Sequence, residues 1–319
     1  MKKYLKKFVA VILTTTLAFS LGMPAFAEEV NLSEEDLNES NATIVTMTNE
    51  YDAILELKNM PVTMMQENGY SEEEIEAIKS FSIEEALLER AQYSEEELRN
   101  WGYDDNQITL LKNYDGSPLE DNPQMRAAMA TMSGQLSEVN SSSNKITAKF
   151  DWTWSNRPVL SGNAVNDLVT CGFMATSVGS SPHTVTANQV SCLIHYYTDD
   201  GTEIGSSTYA IGYIDPHAHV EARFPMAKRF NNIEGWAKKG TLRVGAVEEA
   251  PANQLYSVTF VFGYGHSSVG VEPDISVSLN PKLLGGVGLN FSSFTTQMYY
   301  RTIIVRNGAS NEEFPGPTV

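Results

Sequence analysis

The chain has 319 residues, 42% of them apolar and 10% aromatic, with 22 Lys or Arg against 40 Asp or Glu. A formal charge of −18 argues against a nucleic-acid partner, because neutralising phosphates takes patches of Lys and Arg. The length allows one large domain or two, and the aromatic content is enough to build a core.

The first 27 residues read as an export signal. Lys2, Lys3, Lys6 and Lys7 make a cationic start, Phe8 to Gly22 is an almost unbroken apolar run, and Ala25-Phe26-Ala27 precedes Glu28-Glu29. This pattern predicts a secretory signal peptide over 1–27, cleaved so that the mature chain starts at Glu28. A permanent anchor needs about 20 apolar residues, and this run is shorter and ends at Gly22 and Pro24. No later segment is apolar enough to span a bilayer, so the expected product is secreted and extracellular. Attachment to a cell surface would then depend on another molecule.

Charge divides the rest of the chain. Residues 28–144 hold 26 acidic and 6 basic side chains, and residues 145–319 hold 14 and 12. Such different electrostatics predict two structural units.

Residues 28–114 read as an acidic unit of short helices. A Ser or Asp followed three residues later by Glu or Gln can cap a helix start, and this recurs at Ser71/Glu74, Ser82/Glu85, Ser94/Glu97 and Asp104/Gln107, with a weaker copy at Ser33/Asp36. Asn68-Gly69-Tyr70 and Trp101-Gly102-Tyr103 read as helix ends, where glycine takes the left-handed conformation. Ile75, Ile78, Leu87, Leu98, Trp101, Ile108 and Leu111 supply apolar faces at helical spacing. They are few, which predicts a marginal bundle stabilised by docking on the rest of the chain. Residues 115–144 have turn and linker composition, with Asp115-Gly116-Ser117-Pro118, Asn122-Pro123 and Ser141-Ser142-Ser143-Asn144.

From Lys145 the period changes. Ile146, Ala148, Phe150, Trp152 and Trp154 alternate with polar residues, which predicts a half-buried strand with both tryptophans in the core. Further strands are expected at 165–177, 185–197, 207–214, 218–224, 240–247, 255–263, 274–280, 287–292 and 296–306, with one helical turn near 225–236. The predicted class is mainly β with a small α N-terminal unit: an antiparallel β-sandwich over 145–319, with a barrel as the alternative.

Cys171 and Cys192 fall symmetrically about Ser181-Pro182, so a hairpin there would place them opposite one another and allow a disulfide. Two buried thiols are the alternative. Among the five histidines, His217 and His219 in Asp215-Pro216-His217-Ala218-His219 form the candidate metal pair, since residues two apart on a strand share a face. The neighbouring proline and turn read instead as a solvated loop. Gly265-His266-Ser267-Ser268-Val269-Gly270 lacks the glycine spacing of a nucleophile elbow, and Gly285-Gly286-Val287-Gly288 opens a strand rather than a helix. No cofactor and no catalytic residue is expected. Trp236, Tyr196, Tyr197, Tyr264, Tyr299 and Tyr300 are the candidate surface platforms for a ligand.

Lys149-Phe150-Asp151-Trp152-Thr153-Trp154-Ser155-Asn156-Arg157-Pro158, preceded by short Gly-Tyr-Ser-Glu-Glu helices and a signal peptide, resembles a group of uncharacterised secreted Gram-positive bacterial proteins. The resemblance implies an extracellular location and a β-rich domain, and it carries over no catalytic residue. The expected function is a binding module for a surface glycan or a protein. The alternatives are a hydrolase of extracellular polymer, a membrane-active toxin, and a protein whose acidic unit is a removable pro-region.

Overall fold

A computed structural model describes residues 45–67, 70–159, 166–177, 182–198, 200–249, 254–267, 274–279, 287–291, 295–308 and 311–315. The export signal, the Ser33/Asp36 cap and the Asn68-Gly69 helix end therefore lie outside the described residues. Chain order begins with strand β1 (Val45–Asn49) and continues through helices α1 (Glu50–Asn59), α2 (Val62–Glu67), α3 (Glu72–Ser80), α4 (Ile83–Ala91), α5 (Glu95–Asn100) and α6 (Asp105–Asn113). Two 3-10 segments come next, Leu119–Asp121 and Pro123–Ala128.

The capping residues act as their chemistry dictates. The backbone N–H of Glu85 donates to Ser82, and Ser94/Glu97 and Asp104/Gln107 each close a reciprocal capping box. Asn49, which carries no such signature, caps α1 by accepting from the N–H of Tyr51 at 3.0 Å. Gly102 ends α5 at φ +88°, and the next N–H, that of Tyr103, reaches the Leu98 carbonyl at 3.1 Å. A Cβ on Gly102 would also lie 2.9 Å from the carbonyl oxygen of Ser155. Gly102→Ala is therefore expected to lose about 1 to 2 kcal/mol from the left-handed backbone alone, read as a lower midpoint in thermal unfolding.

The strands form two antiparallel sheets. The first runs in the order β1, β2 (Thr131–Ser141), β3 (Lys145–Trp154), β11 (Ile233–Glu248), β6 (Val185–Tyr197), β7 (Glu203–Tyr209), with β10 (Ala227–Phe230) also on β11. The second runs β16 (Glu312–Pro315), β15 (Thr295–Arg306), β12 (Leu255–Ser267), β4 (Asn166–Ser177), β9 (His219–Pro225), β8 (Gly212–Asp215), with β5 (Pro182–His183) on β4. The sheets face one another as a sandwich and do not close into a barrel. A hairpin of β13 (Ile275–Leu279) and β14 (Val287–Phe291) lies on the outer face of the second sheet, where Leu168, Val261, Ile275, Val287 and Leu289 form a separate apolar cluster.

The sandwich core is aromatic. Trp152 stacks on Phe150 at 5.2 Å and on Phe224 of the opposite sheet at 5.9 Å, and meets Tyr264 edge-on at 5.4 Å. Trp152 and Trp154 are 2% and 0% exposed, as their alternation predicts.

Three expectations are corrected. Residues 115–144 are not a linker, because Thr131–Ser141 is an internal strand of the first sheet, between β1 and β3, and Met132 and Leu136 enter the core. The helical turn expected near 225–236 is a β-hairpin whose tip, Asn231-Asn232, sits at φ 49° and 66°. Asparagine tolerates that conformation, and two such residues make a tight hairpin turn. The single strand expected over 207–214 is two, β7 in one sheet and β8 in the other, with the chain crossing between them.

Candidate functional site

Two features stand apart from ordinary core and surface. The first is a buried charged centre where the helices meet the sandwich. β3 ends at Trp154, and the adjoining Ser155–Val159 is held from both sides. The N–H of Arg157 donates to the Trp101 carbonyl at 2.8 Å, and the Tyr103 hydroxyl donates to the Arg157 carbonyl at 3.1 Å. Arg90 Nη2 donates to the carbonyls of Pro158 and Val159 at 2.9 and 3.1 Å, while its guanidinium stacks 4.5 Å over the Trp101 ring. Glu50 accepts from the N–H of Val159 at 3.0 Å. The Trp-Ser-Asn-Arg-Pro segment is thus the strap by which the helical unit docks.

Beside it lie Asp167 and His266, both 0% exposed. His266 Nδ1 is 3.0 and 2.9 Å from the two Asp167 oxygens, which also accept from Tyr264 Oη at 2.6 Å and the Ser267 N–H at 3.1 Å. His266 Nε2 is buried without a hydrogen-bond partner. Burial alone would push the imidazole below its ordinary pKa of 6.5, but the Asp167 charge and hydrogen bond, together with Glu50, outweigh it and hold the group higher. A folded pKa above the unfolded one contributes stability that is complete below pH 6.5 and disappears as pH rises through the folded value. Wild type is therefore expected to lose more unfolding free energy than His266→Gln between pH 6 and pH 9 in urea titrations. Parallel profiles would refute the ion pair.

The pair is closed to solvent, and its carboxylate also accepts from the Ser267 N–H. An open cavity of about 170 Å³ lies between α6 and the 3-10 segments, lined by Thr109, Tyr114, Asn122 and Met125 among others. It falls below the roughly 300 Å³ of small-molecule sites.

His217 and His219 do not converge. His217 is in the turn before β9, exposed, with Nδ1 3.2 Å from the Val185 carbonyl and 3.1 Å from Glu249, whereas His219 is buried with Nε2 2.8 Å from Thr170 Oγ1. The two-residue rule fails because the strand begins only at His219. Among the described residues no group of three His, Cys, Asp or Glu could hold a metal ion. The cysteines are also free and buried. Cys171 is on β4 of the second sheet and Cys192 on β6 of the first, so they are not ladder neighbours, and burial pushes the Cys192 thiol up to about 12. Of the expected aromatic platforms, Trp236, Tyr196, Tyr264 and Tyr299 are core, and Tyr300 lies against Phe291 of the outer hairpin.

The second feature is the outer face of the first sheet. Cross-strand partners share a face, so the register defines rows across it. One row is Met47, Ser133, Thr153, Lys239, His195 and Ser206, and the next is Val45, Gln135, Asp151, Thr241, Leu193 and Thr208. A third is Ser137, Lys149, Arg243 and Ser191. Six strands make this face roughly 24 Å wide. The outer hairpin covers the opposite sheet instead. Asp151 accepts from Thr241 Oγ1 at 2.6 Å and pairs with Lys149 at 2.5 Å. At the far side His195 Nδ1 pairs with Glu203 at 2.6 Å, which holds that carboxyl below its ordinary pKa, and Lys239 lies 5.5 Å over the half-buried Tyr197. Tyr197 is therefore the one expected platform placed on this face.

No family model and no curated protein matches the chain. Among solved structures it is similar to the collagen-binding subdomain of the Enterococcus faecalis surface protein ACE, at 11% identity over 54% of this chain and 94% of that one, with a TM-score of 0.24. Similarity at that level carries no argument about ligand.

Proposed function

We propose that the protein is exported and acts as an extracellular binding module, using the outer face of its first sheet to hold a surface glycan or protein. The observation that carries this reading is the asymmetry of the sandwich. One sheet has its outer surface roofed by a hairpin, while the other presents three registered rows of mostly hydroxyl, amide and charged side chains, with Met47, Val45 and Leu193 among them. Groups held in register on a sheet suit recognition of an extended ligand, and the buried Asp167–His266 pair is closed off from any substrate. Export rests on the sequence pattern of residues 1–27.

The test is a binding screen of the full mature chain against immobilised polysaccharides and matrix proteins. It is repeated with Ser133→Trp and Thr208→Trp on the outer face, and with Ser276→Trp on β13. Retention by wild type that the two outer-face substitutions abolish and Ser276→Trp leaves intact supports the reading; equal retention by all variants overturns it. Absence of the protein from culture supernatant would count against export, and an N-terminus there other than Glu28 would count against the cleavage position.

A further inference from the structure

We infer that the third row of this face, Ser137–Lys149–Arg243–Ser191, is an anion-binding site, and that the ligand is an acidic polysaccharide. The inference rests on the binding-face reading and narrows it to a chemical class.

Three observations converge. Lys149 on β3 and Arg243 on β11 are direct cross-strand partners, an arrangement in which like charges repel and destabilise the ladder. Asp151 on β3 pairs with Lys149 and offsets part of this repulsion, while Arg243 has no ion-pair partner among the described residues. Second, polar atoms in the row are unmet: Arg243 Nε and Ser137 Oγ are buried without a hydrogen-bond partner, and Arg243 makes no ion pair among the described residues. The Arg243 guanidinium is half-buried and keeps its charge without a carboxylate partner among the described residues. Third, the charge here opposes the rest of the molecule. On a chain of formal charge −18, this face carries Lys145, Lys149, Lys239 and Arg243 against Asp151 and Glu203.

A guanidinium presents paired N–H donors that match a carboxylate or phosphate, and the flanking serines add neutral donors. Lys149 already shares Asp151. Arg243 is therefore the primary contact and Lys149 the secondary one. A flat row of this kind suits a linear polymer with an anionic group on each repeat better than a small ion, which would need an enclosing pocket. The contact is electrostatic and lies at the surface, so binding should fall steeply with salt.

The experiment measures binding of the full mature protein to polygalacturonate, with neutral dextran as control, in low and high salt. Arg243→Glu is expected to weaken binding at least tenfold, Lys149→Gln less, and Arg229→Glu in the β10–β11 hairpin not at all. Thermal midpoints of Arg243→Glu should be equal to or above wild type, because the substitution removes the like-charge opposition. A residue kept for structure would move that midpoint down. Wild type that ignores polygalacturonate in low salt, or binding that Arg243→Glu leaves unchanged, overturns the inference. Equal binding of dextran and polygalacturonate overturns the charge argument, and the Trp substitutions above then show whether the face itself still binds.

Discussion

Asp167→Ala is expected to lower the unfolding free energy by about 3 to 5 kcal/mol, a large share of what a domain possesses. The carboxylate compensates three donors at once: His266 Nδ1, the Tyr264 hydroxyl and the Ser267 amide. Truncation strands all three in a site with no exposure, and stranding a buried donor costs more than the hydrogen bond contributes. The imidazole then loses the charge that holds its pKa up, and burial pushes it down to the neutral form. His266→Ala should cost less, since it leaves Asp167 with two of its partners. In urea titrations, the double variant should fall well short of the sum of the singles, because the second removal has no pair left to break. Additive losses would mean that the two residues act independently and that the centre is not one unit.

Trp152→Ala is expected to cost about 3 to 5 kcal/mol by removing a buried ring that touches both sheets. The site it occupies is made by a glycine on the adjacent strand: a Cβ on Gly240 would lie 2.2 Å from Trp152 Cζ2. Gly240 and Trp152 are direct partners, so the indole lies flat over the Gly240 backbone before reaching Phe224 and Tyr264. Gly240→Ala should therefore cost about 1 to 3 kcal/mol by overpacking. The informative measurement is the combination. In a Trp152→Leu background the clash is relieved, and Gly240→Ala should become nearly neutral or slightly stabilising, through lost freedom of the unfolded chain. An unchanged penalty for Gly240→Ala in that background would show that the glycine serves the backbone rather than the ring.

Local rules explain why much of the architecture was legible. Alternation over Lys145–Trp154 predicts both the strand and its buried side, and the expected strand over 185–197 coincides with β6. Helix caps were equally plain, since Ser94 and Asp104 satisfy nearby amides whatever the tertiary context. Thr131–Ser141 was missed because Thr, Ser, Gly, Gln and Asn dominate it, and its few apolar residues gain their meaning only between β1 and β3. The hairpin tip at Asn231-Asn232 carried a readable turn signal that the expectation of a helical turn over 225–236 passed over.

The sequence by itself determined the division of charge, the helix starts, the alternating strands and the burial of Trp152 and Trp154, because each depends on neighbours a few residues away. Only the tertiary structure decided which sheet each strand joins. That assignment separates Cys171 from Cys192, parts His217 from His219, brings Asp167 against His266, and sets Lys149 beside Arg243. Partners 99 residues apart, as Asp167 and His266 are, meet through the packing of whole strands, and no local periodicity records that choice.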